Sequence, residues 1–110
     1  MSAEAVVAAC AAAGLPCVNM VWPIGSAPDL PWCVWRLDYT DGFDADDTVY
    51  ARASRVVVEL YERSMDASLE AALEASIAAA FGPFSKSQSW AADEGCLVTY
   101  YGFTDIENGV

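Results

Sequence analysis

Five carboxylates crowd one short stretch of the chain: Asp38, Asp41, Asp44, Asp46 and Asp47. Side-chain oxygens at this density suit a hard cation such as calcium. The loop order D-x-[DN]-x-[DN]-G is absent, however, because the position five before Gly42 is Leu37. A solvated acidic turn is the reading those residues support. A second set of carboxylates, Glu59, Glu62, Glu70 and Glu74, could supply an acid/base pair. Glu70 and Glu74 stand one turn apart on what the periodicity makes an exposed helix face, which is ordinary surface patterning. No histidine occurs in the chain, so the commonest general base is absent. Ser85, Ser87 and Ser89 alternate along a strand, without a G-x-S-x-G elbow or a base to activate them. Neither G-x-x-x-x-G-K-[ST] nor G-x-G-x-x-G appears. These residue types describe a protein that is not an enzyme and carries no cofactor.

Cys10, Cys17, Cys33 and Cys96 show no C-x-x-C spacing, and without histidine a zinc site would need four scattered thiolates. Cys10 lies in an alanine-rich helix, and Cys33 and Cys96 alternate with apolar residues, the habit of small buried hydrophobes. Reduced thiols and no bound metal are expected. The aromatics Trp22, Trp32, Trp35, Tyr61, Trp90, Tyr100 and Tyr101 could line a ligand pocket or stack on bases. In strands they serve more often as core and contact residues. Trp32 and Trp35 point to opposite faces of one strand, one towards the core and one towards an interface.

Charge narrows the partners. Sixteen acidic against five basic side chains leave a net −11. Binding nucleic acid by charge neutralisation needs the opposite balance. An acidic wall that DNA passes without sticking is compatible with this charge, as is simple solubility of an apolar domain. No apolar run approaches the roughly 20 residues a membrane span requires. The opening segment carries Glu4 where a secretory signal has a basic region, and Gly14 and Pro16 interrupt it.

The elements that must hold these residues follow from periodicity. Ser2 caps a helix Ala3–Ala13, which Gly14, Leu15 and Pro16 close. Val18–Trp22 reads as a strand and 24–31 as a loop. Trp32–Tyr39 is a strand ending in an acidic turn around Asp41-Gly42. Thr48–Glu62 is a long strand whose polar first half projects as an arm. Asp66 caps the helix Ala67–Phe81, with Leu69, Leu73 and Ile77 on its buried face. Phe84–Trp90 and Cys96–Phe103 form a closing hairpin. The expectation is one α+β domain over residues 1–110, with two helices packed on a largely antiparallel sheet in the order α-β-β-β-α-β-β.

Certain segments, taken together, resemble a known family. They are P-W-C-V-W-R-L-D-Y from Pro31, D-G-F-D-A-D-D, T-V-Y-A-R-A-S-R-V-V-V-E-L-Y, the helix S-L-E-A-A-L-E-A-S-I-A-A-A-F closed by Gly82-Pro83, F-S-K-S-Q-S-W and C-L-V-T-Y-Y-G-F-T. This order is similar to that of the small tail-completion, or tail terminator, proteins of long-tailed bacteriophages. Those chains typically have an aromatic after a proline, an Ala-Asp-Asp or Ala-Asp-Asn turn before Val-Tyr, an E-L-Y strand end, an acidic helix and a closing K-x-x-x-W…Y-x-x-x-Y pair. This chain is richer in Ala, Trp and acidic residues than its Lys- and Asn-rich counterparts.

The resemblance implies a structural virion protein, assembled in the host cytoplasm, whose hexameric ring caps the tail tube. It implies contacts with its own copies, with the tube protein and with a head-completion (stopper) protein, while DNA passes through the lumen. A head-closure or head–tail joining protein of the same neck is the near alternative. An acidic cytoplasmic adaptor or inhibitor of a basic partner is the distant one. The expected contact residues are Phe43, Asp44, Asp46, Asp47, Tyr50, Arg52 and Arg55. In a ring of acidic subunits, repulsion must be offset where they touch, and these arginines are two of only five basic residues.

Overall fold

A computed structural model describes the backbone of residues 3–45 and 49–109, and the side chains of 3–42 and 52–107. The chain runs α1 (Ala3–Ala12), β1 (Cys17–Asn19), β2 (Trp32–Ala45), β3 (Val49–Glu62), α2 (Ala67–Phe81), β4 (Phe84–Ala91) and β5 (Cys96–Gly109). This is the expected α+β order. The five strands form one sheet in the order β1-β2-β3-β5-β4, antiparallel except for β1, which runs parallel to β2.

Local chemistry sets the helix ends. Leu15 N–H donates to the Cys10 carbonyl and Gly14 N–H to that of Ala11, with Gly14 at φ +79°, so α1 ends in a Schellman turn. Leu15 then tucks into the core, 2% exposed. The Asp66 carboxylate accepts the Leu69 N–H at 3.1 Å and caps α2 as its sequence predicts. The proposed Ser2 cap lies outside the described residues.

One face of the sheet carries both helices. Val6 and Cys10 of α1, and Leu73 and Ile77 of α2, meet Cys33, Trp35, Val56, Val58, Leu60, Tyr101 and Phe103 of the strands. Phe81 stacks on Phe103 at 4.5 Å, and Phe84 meets Tyr101 edge-on at 5.6 Å. Trp35 is in this core, whereas Trp32 lies on the opposite, helix-free face against Trp22 and Tyr61.

Three boundaries differ from the sequence expectation. The strand expected at Val18–Trp22 is Cys17–Asn19, because residues 20–31 form the dozen-residue crossover that a parallel neighbour requires. The turn expected around Asp41-Gly42 is strand instead. Gly42 pairs with Arg52, and the ladder continues to Ala45 opposite Val49. Closing strand β5 runs six residues beyond Phe103, to Gly109, pairing with β3 throughout. A centre strand with partners on both sides overrides local turn chemistry, since strand preference depends mostly on neighbours.

The result is a body with a tongue. Helices and β4 cover the part of the sheet where β5 runs from Cys96 to Phe103, while β2, β3 and β5 continue together to Ala45, Val49 and Gly109. A 14-residue strand spans roughly 45 Å, and the molecule measures 51 × 29 × 22 Å. Its radius of gyration is 15.1 Å, against about 13 Å for a compact domain of this length.

Candidate functional site

The tongue gathers the residues expected to meet a neighbour. Phe43 and Asp44 are in β2, and Tyr50, Arg52 and Arg55 in β3; Asp44 is the ladder partner of Tyr50 and Gly42 that of Arg52. Asp46 and Asp47 lie outside the described residues. Arg52 is half exposed, and its Nη2 donates to Glu107 Oε2 at 3.2 Å, an ion pair across to β5 of the same chain. Arg55 sits nearer the body, where its Nη2 donates to Ser85 Oγ at 3.0 Å and its guanidinium lies over Gly102. A Cβ at position 102 would stand 2.6 Å from that Nη2. Glycine therefore lets the arginine lie flat on the sheet. Beside the arginines the tongue exposes Leu37, Tyr39 and Ile106. A bulge between Leu37 and Tyr39 turns these two to opposite faces.

The helix-free face of the body holds a second set of side chains. Arg36 Nε donates to Glu59 Oε2 at 2.9 Å, and the Tyr61 hydroxyl to Glu59 Oε1 at 2.7 Å. The Glu59 hydrogen bond holds the Arg36 guanidinium above its ordinary range, while burial and then Glu59 push the Tyr61 phenol up. A groove of about 260 Å³ opens beside Tyr61, lined by Met20, Trp22, Trp32, Val34 and Glu94 among others. Trp32 is the hub of its wall, 5.9 Å from Trp22 and 4.6 Å from Tyr61 between ring centroids.

A third cluster corrects the sequence reading. Glu70 is not on an exposed helix face: it is 3% exposed, on the flank of α2 that overhangs β4 and β5. Lys86 of β4 reaches up between the two helix carboxylates, with Nζ 2.9 Å from Glu70 Oε1 and 2.8 Å from Glu74 Oε2. Gln88 Nε2 donates to Glu70 Oε1 at 3.2 Å and to Thr99 Oγ1 at 2.9 Å. The Tyr101 hydroxyl donates to Glu74 Oε2 at 2.8 Å. Burial alone would raise Glu74, but Lys86 and Tyr101 outweigh it and hold that carboxyl below its usual range. Glu62, at the end of β3, joins the cluster and is 2% exposed. Burial first, then hydrogen bonding and repulsion from Glu70, push its carboxyl up to about 7. Helical periodicity missed this group because it assigned Glu70 by its distance from the Leu69–Leu73–Ile77 stripe. The signal lay in β4, where Lys86 and Gln88 share the helix-side register with Phe84 while the serines take the other.

Cys10, Cys17 and Cys33 meet where α1 crosses β1 and β2, and all four thiols are free. Hydrogen bonding from Cys17 lowers Cys10, but Cys33 and burial prevail and push it up to about 12. Contact with Cys10 and burial likewise raise Cys17. Thiols so held are poor nucleophiles. Among the described residues, no group of three or more Cys, Asp or Glu is arranged to hold a metal ion.

Compared with protein-family models and with curated proteins, the sequence matches none.

Proposed function

We propose that this protein is a structural component of a long-tailed bacteriophage, a tail terminator that closes the tail tube as a hexameric ring and meets the head-completion protein above it. The observation that carries the reading is the tongue. A small α+β body with its own core extends three strands well past its helices, and an isolated protein has no packing reason to do so. Sequence resemblance in the same segments supports it. So does the charge: a net −11 suits a passage that repels DNA rather than binding it. The ring works by shape and charge complementarity, with the tongue of one subunit laid against the next and no chemical step.

The test exchanges Arg52 and Arg55 for glutamate. The variant is expected to fold as a monomer, to fail to form rings on tube ends, and to leave tails of irregular length or heads and tails unjoined in a phage lacking the native gene. Full complementation by the double variant would remove the tongue from the interface. If the native protein stays monomeric in the presence of tubes and binds a basic protein instead, the adaptor reading takes its place.

A further inference from the structure

Glu62 and Glu70 are both buried, and each carboxyl has one oxygen left without a donor among the described residues. Each has one oxygen well supplied with donors. Oε2 of Glu62 accepts the Asp66 N–H at 3.1 Å, and Oε1 of Glu70 accepts from Lys86 at 2.9 Å and Gln88 at 3.2 Å. Their other oxygens, Oε1 of Glu62 and Oε2 of Glu70, are buried and meet no donor from the described residues. The two side chains, 2% and 3% exposed, act on one another across the junction of β3 and α2. Two orphaned carboxyl oxygens can satisfy one another only if one of them carries hydrogen. Two buried like charges so placed would be penalised by desolvation and repulsion, so one of them neutralises instead.

We propose that Glu62 and Glu70 share one proton, and that this proton latches the first turn of α2 to the end of β3 and releases it when lost. The inference does not depend on the virion reading. Chain geometry gives the latch its leverage, because only residues 63–66 separate the two elements it joins. The surrounding charges assign the proton. On β4, Lys86 bonds Glu70 directly, whereas Glu62 accepts only the Asp66 N–H among the described residues, so the hydrogen rests mainly on Glu62. From β5, Tyr101 donates to Glu74, which shares Lys86 and so dilutes its effect on Glu70. Asp66 adds a negative charge on Glu62's other side while its N–H offsets part of it. Arg63 lines the opening next to Glu62, and α1 brings only Glu4, which is exposed. That opening, about 240 Å³ between Leu30, Pro31, Arg63 and Leu69, reaches Glu62 and gives water a route to it.

The sign is fixed by linkage. Glu62 binds its proton more tightly folded than unfolded, so the latch is fully present below the ordinary value of 4.5 and is lost as pH rises through about 7. Each unit of that separation is a factor of ten in the unfolding equilibrium. The native chain should therefore unfold more readily at pH 8 than at pH 5, by on the order of a hundredfold. No histidine confuses this window.

Glu62→Gln supplies a permanent N–H to Glu70 Oε2. It should flatten the dependence and leave the variant more stable than the native protein at pH 8, with slower amide exchange in the first turn of α2. Equal pH dependence in the two proteins would overturn the proposal. So would an infrared titration of the native chain in which every carboxyl is ionised by pH 6, a readout that holds even if the variant fails to fold.

Discussion

Replacing Lys86 by methionine isolates the one cation that serves two helix carboxylates. Methionine keeps an unbranched apolar stem of similar length and removes only the charge and its donors. The ammonium lies 2.9 Å from Glu70 Oε1 and 2.8 Å from Glu74 Oε2. The two contacts are unequal. Glu74's side chain is 27% exposed and keeps its bond from Tyr101, so that half resembles a surface pair worth about 0–1 kcal/mol. Glu70's side chain is 4% exposed, and its Oε1 would keep only Gln88. Stranding a buried charge costs about 3–5 kcal/mol, less here because the departing lysine is itself partly solvated. The expected loss is about 2–4 kcal/mol, a large share of the 5–15 kcal/mol that holds a typical domain together.

Urea unfolding at pH 7 and moderate salt measures it directly. Adding Glu70→Gln to Lys86→Met should restore much of the stability, since the amide needs no cation. A Lys86→Met protein within about 0.5 kcal/mol of the native one would refute the reasoning, because an exposed surface change costs no more than that.

Leu73, wholly buried between α2 and the sheet, should cost about 2–5 kcal/mol when truncated to alanine, and a loss under about half a kcal/mol would mean that α2 turns another face to the core. If the protein forms the proposed ring, its assembly should strengthen with added salt. Screening weakens the repulsion between subunits of charge −11 more than it weakens the few arginine contacts, and sedimentation that shows rings dissociating as salt rises would invert that balance.

The sequence was a good guide where one period dominates. Asp66 followed by Leu69, Leu73 and Ile77 defines α2 to the residue, and Gly14-Leu15-Pro16 ends α1 within one residue of its expected close. It was a poor guide where a distant partner decides the conformation. Nothing local marks Thr40–Ala45 or Thr104–Gly109 as strand; they are strand because both lie beside Val49–Arg55 and complete its ladders. Glu70 failed for a related reason. A helix residue's burial depends on what stands across from its flank, and the strand that covers Glu70 begins fourteen residues later.

Scarcity of basic groups explains how the few present are placed. Arg36 is shared between Asp38 and Glu59, Lys86 between Glu70 and Glu74, and Arg52 holds Glu107 across the tongue. Arg55 lies on Gly102 against Ser85. With three cations already committed to five carboxylates, a buried sixth, Glu62, has no lysine or arginine among its hydrogen-bond partners and is accommodated by a proton instead. The same arithmetic bears on assembly. A neighbouring subunit that recruits Arg52 must compete with Glu107 of the arginine's own chain, so the contact gains only the difference between two exposed ion pairs, each worth about 0–1 kcal/mol. In the proposed ring, binding strength along the tongue would then come chiefly from the exposed Leu37, Tyr39 and Ile106, with the arginines setting register and excluding mismatched partners.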